Sequence, residues 1–281
     1  MANKTWVGTD TGNEGDWSVA ANWSPSGVPV ASDDVYFVSG SQDVTAGLDQ
    51  SAVTLLSLNF GTKYTGSIET ALQIDATTLD YANKIGTVIL TGTFTTANIQ
   101  ATAIDSPALK FTSATIATLR VTGGSGTVFV DSGSTVSSVI EMIGANSVRV
   151  EIESGATVSA ADITIDDGKF LTYEEVDTVT QFGGLVEFLN SAGTTNAITM
   201  YKGKCKYKVT GATTLTTLII YGGFFDTRGS NAPSHTITNT TVYAGGMIDE
   251  RNGLENCIYI NPVALNGGVV KCDFGREVTI A

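Results

Sequence analysis

From about Gly66 onward, apolar and polar side chains alternate along short segments. In "ATLRVT" (117–122) and "ADITID" (161–166) every second side chain is apolar. Strict alternation of this kind is the mark of a strand with one buried face, because successive side chains on extended chain point to opposite sides. No long stretch carries apolar positions at the helical spacing of 3.6. The alternating segments come in pairs, each pair joined by a glycine or another turn residue, and the pair returns. The second strand of each pair opens at Gly86, Ala108, Gly126, Ser147, Gly168, Gly184, Lys204, Gly223, Gly246 and Gly268, in nearly even steps. Strand phrases at a period near 21, with no helical phrase between them, predict a coil of stacked turns: an all-β, single-stranded parallel β-helix, or β-solenoid, of about ten turns. Right-handed coiling is the default for parallel strands.

In such a coil each turn bonds to the turns above and below, and inward side chains stack in columns. Thr, Val and Ala suit those columns. Glycine at the recurrent corner allows positive φ or the close approach of the next turn. At roughly 4.8 Å per turn, ten turns predict a rod on the order of 50 Å long. The repeat divides the chain into a cap or attachment segment at 1–40 and a solenoid domain at 41–281. The short step from Gly168 to Gly184 marks a missed corner or an irregular loop.

All three tryptophans, Trp6, Trp17 and Trp23, precede the repeat. They are too large for the narrow interior of a turn and suit a lid packed over the first coil; the alternative is a platform on which a carbohydrate stacks. The surrounding pattern is Trp6, Gly8, then Gly15-Asp16-Trp17-Ser18, Ala20, Asn22-Trp23, Gly27-Val28-Pro29 and Asp33. It resembles the opening motif of β-helical surface proteins found in autotransporter-like passenger domains and in bacteriophage virion proteins. The resemblance runs from the N-terminus to about Val38 and extends downstream only as a style of repeat. It implies an extracellular or virion structural role and carries over no catalytic residue. Asp16 and Asn22 join the tryptophans as candidate cap or attachment residues, and Asp33 reads as a turn cap before the strand at 35–38.

Charge narrows the partners. A formal net charge of −13 argues against nucleic acid, which needs a basic footprint. One basic run stands out: Lys202, Lys204, Lys206 and Lys208 alternate with Gly203, Cys205 and Tyr207, so a strand places the ammonium groups on one outward face. That face is either a solvated wall that resists edge pairing or a patch for an acidic neighbour, such as another subunit or a capsid shell. Cys205, Cys257 and Cys272 are an odd, widely spaced set that forms neither a disulfide framework nor a zinc motif. Cys205 falls where other repeats place Phe225, Ile248 and Val270, the position of a buried column.

Candidate chemistry is sparse. The acidic pairs Asp33-Asp34, Asp166-Asp167, Glu174-Glu175 and Asp249-Glu250 are adjacent, so in a strand their carboxyls face opposite sides and form no ready glycosidase dyad. The single histidine, His235, reads as a turn residue. Asp10, Glu14 and Asp16 lie in a glycine-rich loop, but their spacing does not match a calcium loop, and no metal or cofactor is expected. No apolar run approaches the length of a membrane-spanning helix, and Met1 to Trp6 lead into polar sequence without the apolar core of a signal peptide. The expectation is a non-enzymatic phage structural protein on the virion surface, made in the host cytoplasm. As a capsid decoration or cement protein it would associate as a homotrimer and bind the major capsid protein. The alternatives are a receptor-binding tail fibre, tailspike or adhesin that recognises a host glycan, and a polysaccharide-degrading enzyme. The aromatic residues Phe170, Tyr173, Phe182, Phe188, Tyr201 and Tyr207 are expected in the core of the middle turns, with a lateral interface as the other reading.

Overall fold

The computed structural model describes residues 2–82, 86–100, 102–145, 147–159, 162–189, 193–228, 235–251 and 257–272. It is a β-solenoid. The strands hydrogen-bond into one continuous sheet that winds round the axis, and its turn-to-turn pairings are parallel. Each central turn supplies three paired segments. The first wall is built from the predicted second strands, for example Lys169–Thr172, Leu185–Phe188, Lys204–Tyr207 and Gly223–Asp226, stacked in that order. The other two walls come from one longer strand that bends: Thr135–Met142 pairs with Thr115–Val121 across a register shift between Val136 and Val139. In the next turn the same two walls are separate strands, Thr157–Val158 and Asp162–Ile165. The bend lets a single alternating segment bury side chains on both sides of a corner.

The register confirms the predicted columns. Cys205 lies between Val186 and Phe225, and the column continues through Ile248 to Val270. Cys205 is fully buried, and that burial raises its thiol pKa well above the ordinary value. The short step at 168–184 also has a structural reason. Residues 173–177 form no strand where neighbouring turns have a second-wall strand, while Val176 is still buried in the core.

The corner entering the first wall holds Gly184, Gly203 and Gly223, each at positive φ. A β-carbon on Gly203 or Gly223 would sit 2.6 Å from the carbonyl oxygen of the glycine one turn below. Stacked turns approach so closely here that each glycine requires the next. At Gly246 and Gly268 φ is ordinary, and the positive φ has moved one residue back to Gly245 and Gly267.

Stacking reaches back into the cap segment. Strand β1 (Asn3–Trp6) pairs antiparallel with β2 (Trp23–Ser24) and parallel with β3 (Asp34–Gly40). Strand β3 pairs parallel with β4 (Asp49–Tyr64), which pairs with β5 (Ile68–Tyr81). Parallel stacking therefore begins within the first 40 residues, with β1 as its first layer.

Candidate functional site

The tryptophans form a lid. Trp6, Trp17 and Trp23 are each at most 2% exposed. Trp23 meets Trp6 and Trp17 edge to face at centroid distances of 5.0 and 4.6 Å, and the cluster rests on Phe37 of the first full turn. The Trp23 indole N–H donates to the Trp17 carbonyl at 2.8 Å. With their faces buried against one another, these rings offer no platform for a sugar. Asn22 is fully buried: its side-chain oxygen accepts from Asp10 N–H, and its amide donates to the carbonyls of Asn13 and Asp16, so one side chain staples the loop over the lid. Asp16 closes the following turn by accepting from the Ser18 N–H and hydroxyl at 2.8 and 2.6 Å. Asp33 is the expected turn cap, accepting from Ala2 and Val30 N–H groups.

The four lysines do not form an open basic patch. Lys204 pairs with Asp226 at 3.0 Å, while Lys206 and Lys208 both reach Glu187, at 3.4 and 3.5 Å. Lys202 is exposed in the bend that leads into this strand. The partners come from the turns below and above, an arrangement one strand's sequence does not reveal. Glu187, Lys206, Asp226 and Asp249 share one outward column of the first wall. Burial opposes the charge on Asp226, but hydrogen bonds from Arg228 and Lys204 outweigh it and hold its pKa down to about 2. The Arg251 side chain likewise lowers Asp249, chiefly by hydrogen bonding.

Each acidic pair has at least one carboxylate engaged in a local bond. Asp34 accepts from the Ser57 hydroxyl, Asp167 from Gly168 N–H, and Glu174 from Gly155 N–H. Asp249 faces outward to Arg251, whereas the buried Glu250 accepts from the Tyr259 hydroxyl. Among the described residues no three His, Cys, Asp or Glu side chains converge as a metal site. His235 departs from the sequence reading: it opens the strand His235–Tyr243, is buried, and packs edge-on to Tyr207 at 5.6 Å. The alternation that places Leu215 and Ile237 inward also draws Thr213 and His235 under the corner.

The most individual feature is the corner column that follows the third wall. Phe170, Phe188 and Tyr207 are buried as expected, but Phe182 and Tyr201 point outward and are 43% and 46% exposed. They start a ladder. Phe182 stacks on Tyr201 at 4.9 Å, Tyr201 on Tyr221 at 5.0 Å and Tyr221 on Tyr243 at 4.6 Å, with interplanar angles of 7° to 12°. Toward the N-terminus the same column holds Gly61, Ala82, Gln100 and Thr122. Their continuity shows in the hydrogen bonds: Ala82, Gln100, Thr122, Phe182, Tyr201 and Tyr221 each donate their N–H to the last inward residue of the turn below. Where the column holds small residues, the wall sinks into an open cleft of about 430 Å³ bordered by Tyr36, Asn59, Asp80, Asn98, Gln100 and Thr122. A second hollow of about 490 Å³ lies at the shortened turn, beside Glu174, Glu175 and Asp177.

The ladder leaves a trace in the sequence. An aromatic residue stands at a fixed place before the corner in Phe182-Gly183-Gly184, Tyr201-Lys202-Gly203, Tyr221-Gly222-Gly223 and Tyr243-Ala244-Gly245. Comparison with known proteins places the chain in no family: no family model matches it, and neither does any curated protein or solved structure. The site thus defines a β-solenoid with a lidded N-terminal end, and its role rests on geometry. No helix among the described residues is long and apolar enough to cross a membrane.

Proposed function

We propose that the protein is a non-enzymatic structural component of a bacteriophage virion, a decoration or cement protein bound to the outer surface of the capsid. The observation that carries this reading is the pairing of a lidded end with a regular wall. The N-terminal lid buries its tryptophans and closes the first turn, and in the wall beyond it carboxylates such as Glu187, Asp226 and Glu174 bond to groups of neighbouring turns. Such a rod is suited to bearing and bridging. Attachment is by the lidded end, against the major capsid protein. Self-association is as a homotrimer, since closed symmetry limits the surface left exposed, and the ladder from Phe182 to Tyr243 supplies apolar area for it.

The test is cosedimentation of the purified protein with capsid shells lacking it and with isolated tails, alongside its mass by light scattering. Saturable binding to shells by a trimer is the expected result. Binding to tails alone, or to neither particle, overturns the decoration role.

A further inference from the structure

We propose that the cleft on the N-terminal turns binds a neutral oligosaccharide laid along the wall, a second activity separate from attachment through the lid. The register sets the site. Tyr36 lies beside Asn59, Asn59 beside Asp80, and Asp80 beside Asn98, so four consecutive turns present one outward row of a phenol, two carboxamides and a carboxylate. The neighbouring column drops to Gly61 and Ala82, which form the floor, and rises again at Gln100. The row repeats every ~4.8 Å, so a chain of sugars meets a polar side chain in each of several turns. The volume of about 430 Å³ falls in the range of small-ligand sites.

The polar groups are held in place without being used up. Asn59 donates its amide to the Val35 carbonyl and the Ser57 hydroxyl, which fixes the side chain and presents its oxygen. Asn98 donates to one Asp80 oxygen at 2.8 Å, which orients both and keeps the second carboxylate oxygen as an acceptor. Gln100 is exposed at the rim and brings both a donor and an acceptor. A ligand rich in hydroxyls satisfies such a row because each hydroxyl donates and accepts. An apolar ligand would strip water from these groups and leave them unpaired, which is costly. A polyanion is disfavoured by Asp80 and by the net charge of −13. The hollow at 156–196 is a poorer candidate for a neutral ligand, because three carboxylates, Glu174, Glu175 and Asp177, border it.

The experiment is calorimetric titration of the full chain with cellohexaose, maltohexaose, mannohexaose and xylohexaose. The expected result is saturable binding of at least one. Asn98→Ala and Gln100→Ala should each weaken that binding about tenfold, the equivalent of about 1.4 kcal/mol. Ala82→Tyr, which sets a ring on the floor of the cleft, should abolish it without lowering the melting temperature. If Asn98→Ala melts early, Gln100→Ala alone decides, since its side chain is exposed. Heat that fails to saturate with all four sugars at millimolar concentration, or binding indifferent to Gln100→Ala and Ala82→Tyr, overturns the proposal. Loss of capsid binding in the cosedimentation assay leaves this result untouched, so the two claims fail separately.

Discussion

One column of the solenoid is built in two ways. At the corner after the third wall, the turns from Phe182 to Tyr243 stack four rings face to face on the outside of the coil. The turns from Gly61 to Thr122 put small or polar residues at the same place and leave a cleft. The backbone ladder is continuous through both. The hydrogen-bonded frame is therefore indifferent to this outward position, which is free to be filled for adhesion between turns or emptied for a ligand. Stacked rings cover one another's faces and leave their edges outward, so the ladder ties its turns together and still offers apolar surface, while the cleft offers polar groups.

The two regions should respond differently to substitution. The largest effect is expected from Trp23→Ala, which removes the ring that joins Trp6 to Trp17 and should cost about 3 to 5 kcal/mol by denaturant unfolding. Hydrogen exchange should then rise in Asp34–Gly40 and Asp49–Tyr64 while Thr213–Ile220 stays protected; equal loss in both would show that the two regions unfold as one unit. Next is Asp226→Asn, expected to cost about 2 kcal/mol at neutral pH because it removes charge-assisted bonds from Arg228 and Lys204. The sign follows from its lowered pKa. Stability from this carboxylate is complete above its ordinary value of 3.8 and is lost as the pH falls toward about 2. The variant should thus lack that part of the acid-induced loss, as measured by urea midpoints across the range.

Tyr201→Ala breaks two stacks at the middle of the ladder and should cost about 1 to 2 kcal/mol, with the cleft and its binding unchanged. The smallest effect should come from Ala82→Tyr, which gives an N-terminal turn the residue type of the C-terminal ones. A change within about 0.5 kcal/mol is expected for a partly exposed position. A loss of several kcal/mol in thermal unfolding would mean that the corner differs in backbone between the two regions.

The fold is legible in the sequence because its signals are local and repeated. Alternation locates the strands, glycine locates the corners, and the spacing of Cys205 against Phe225, Ile248 and Val270 gives the true column. Phe182 and Tyr201 go astray when bulk is weighed above parity. Counting from the buried Val179, Gln181 points in and Phe182 points out, which the structure shows. The lysine face is legible as outward, but its neutralisation depends on Glu187 and Asp226 in other turns. The cleft has the same origin. Tyr36, Asn59, Asp80 and Asn98 are unremarkable in a linear reading and become a row only once the register is set, because their separations along the chain differ from turn to turn.

The lid also bears on how the chain reaches its final form. Each turn of the coil contacts the turns next to it, and β1 finds its partners in β2 and β3, no further along the chain than Gly40. The lid segment leaves the ribosome ahead of the coil and can close ahead of it, needing nothing synthesised later than the first full turns. Strand β3 then offers β4 a ready edge, β4 offers one to β5, and every later turn lands on a template already in place. Because synthesis delivers residues at about 5 to 20 per second, far slower than a loop of this length closes, the molecule is arranged to be wound as it is made, from its sealed end outward.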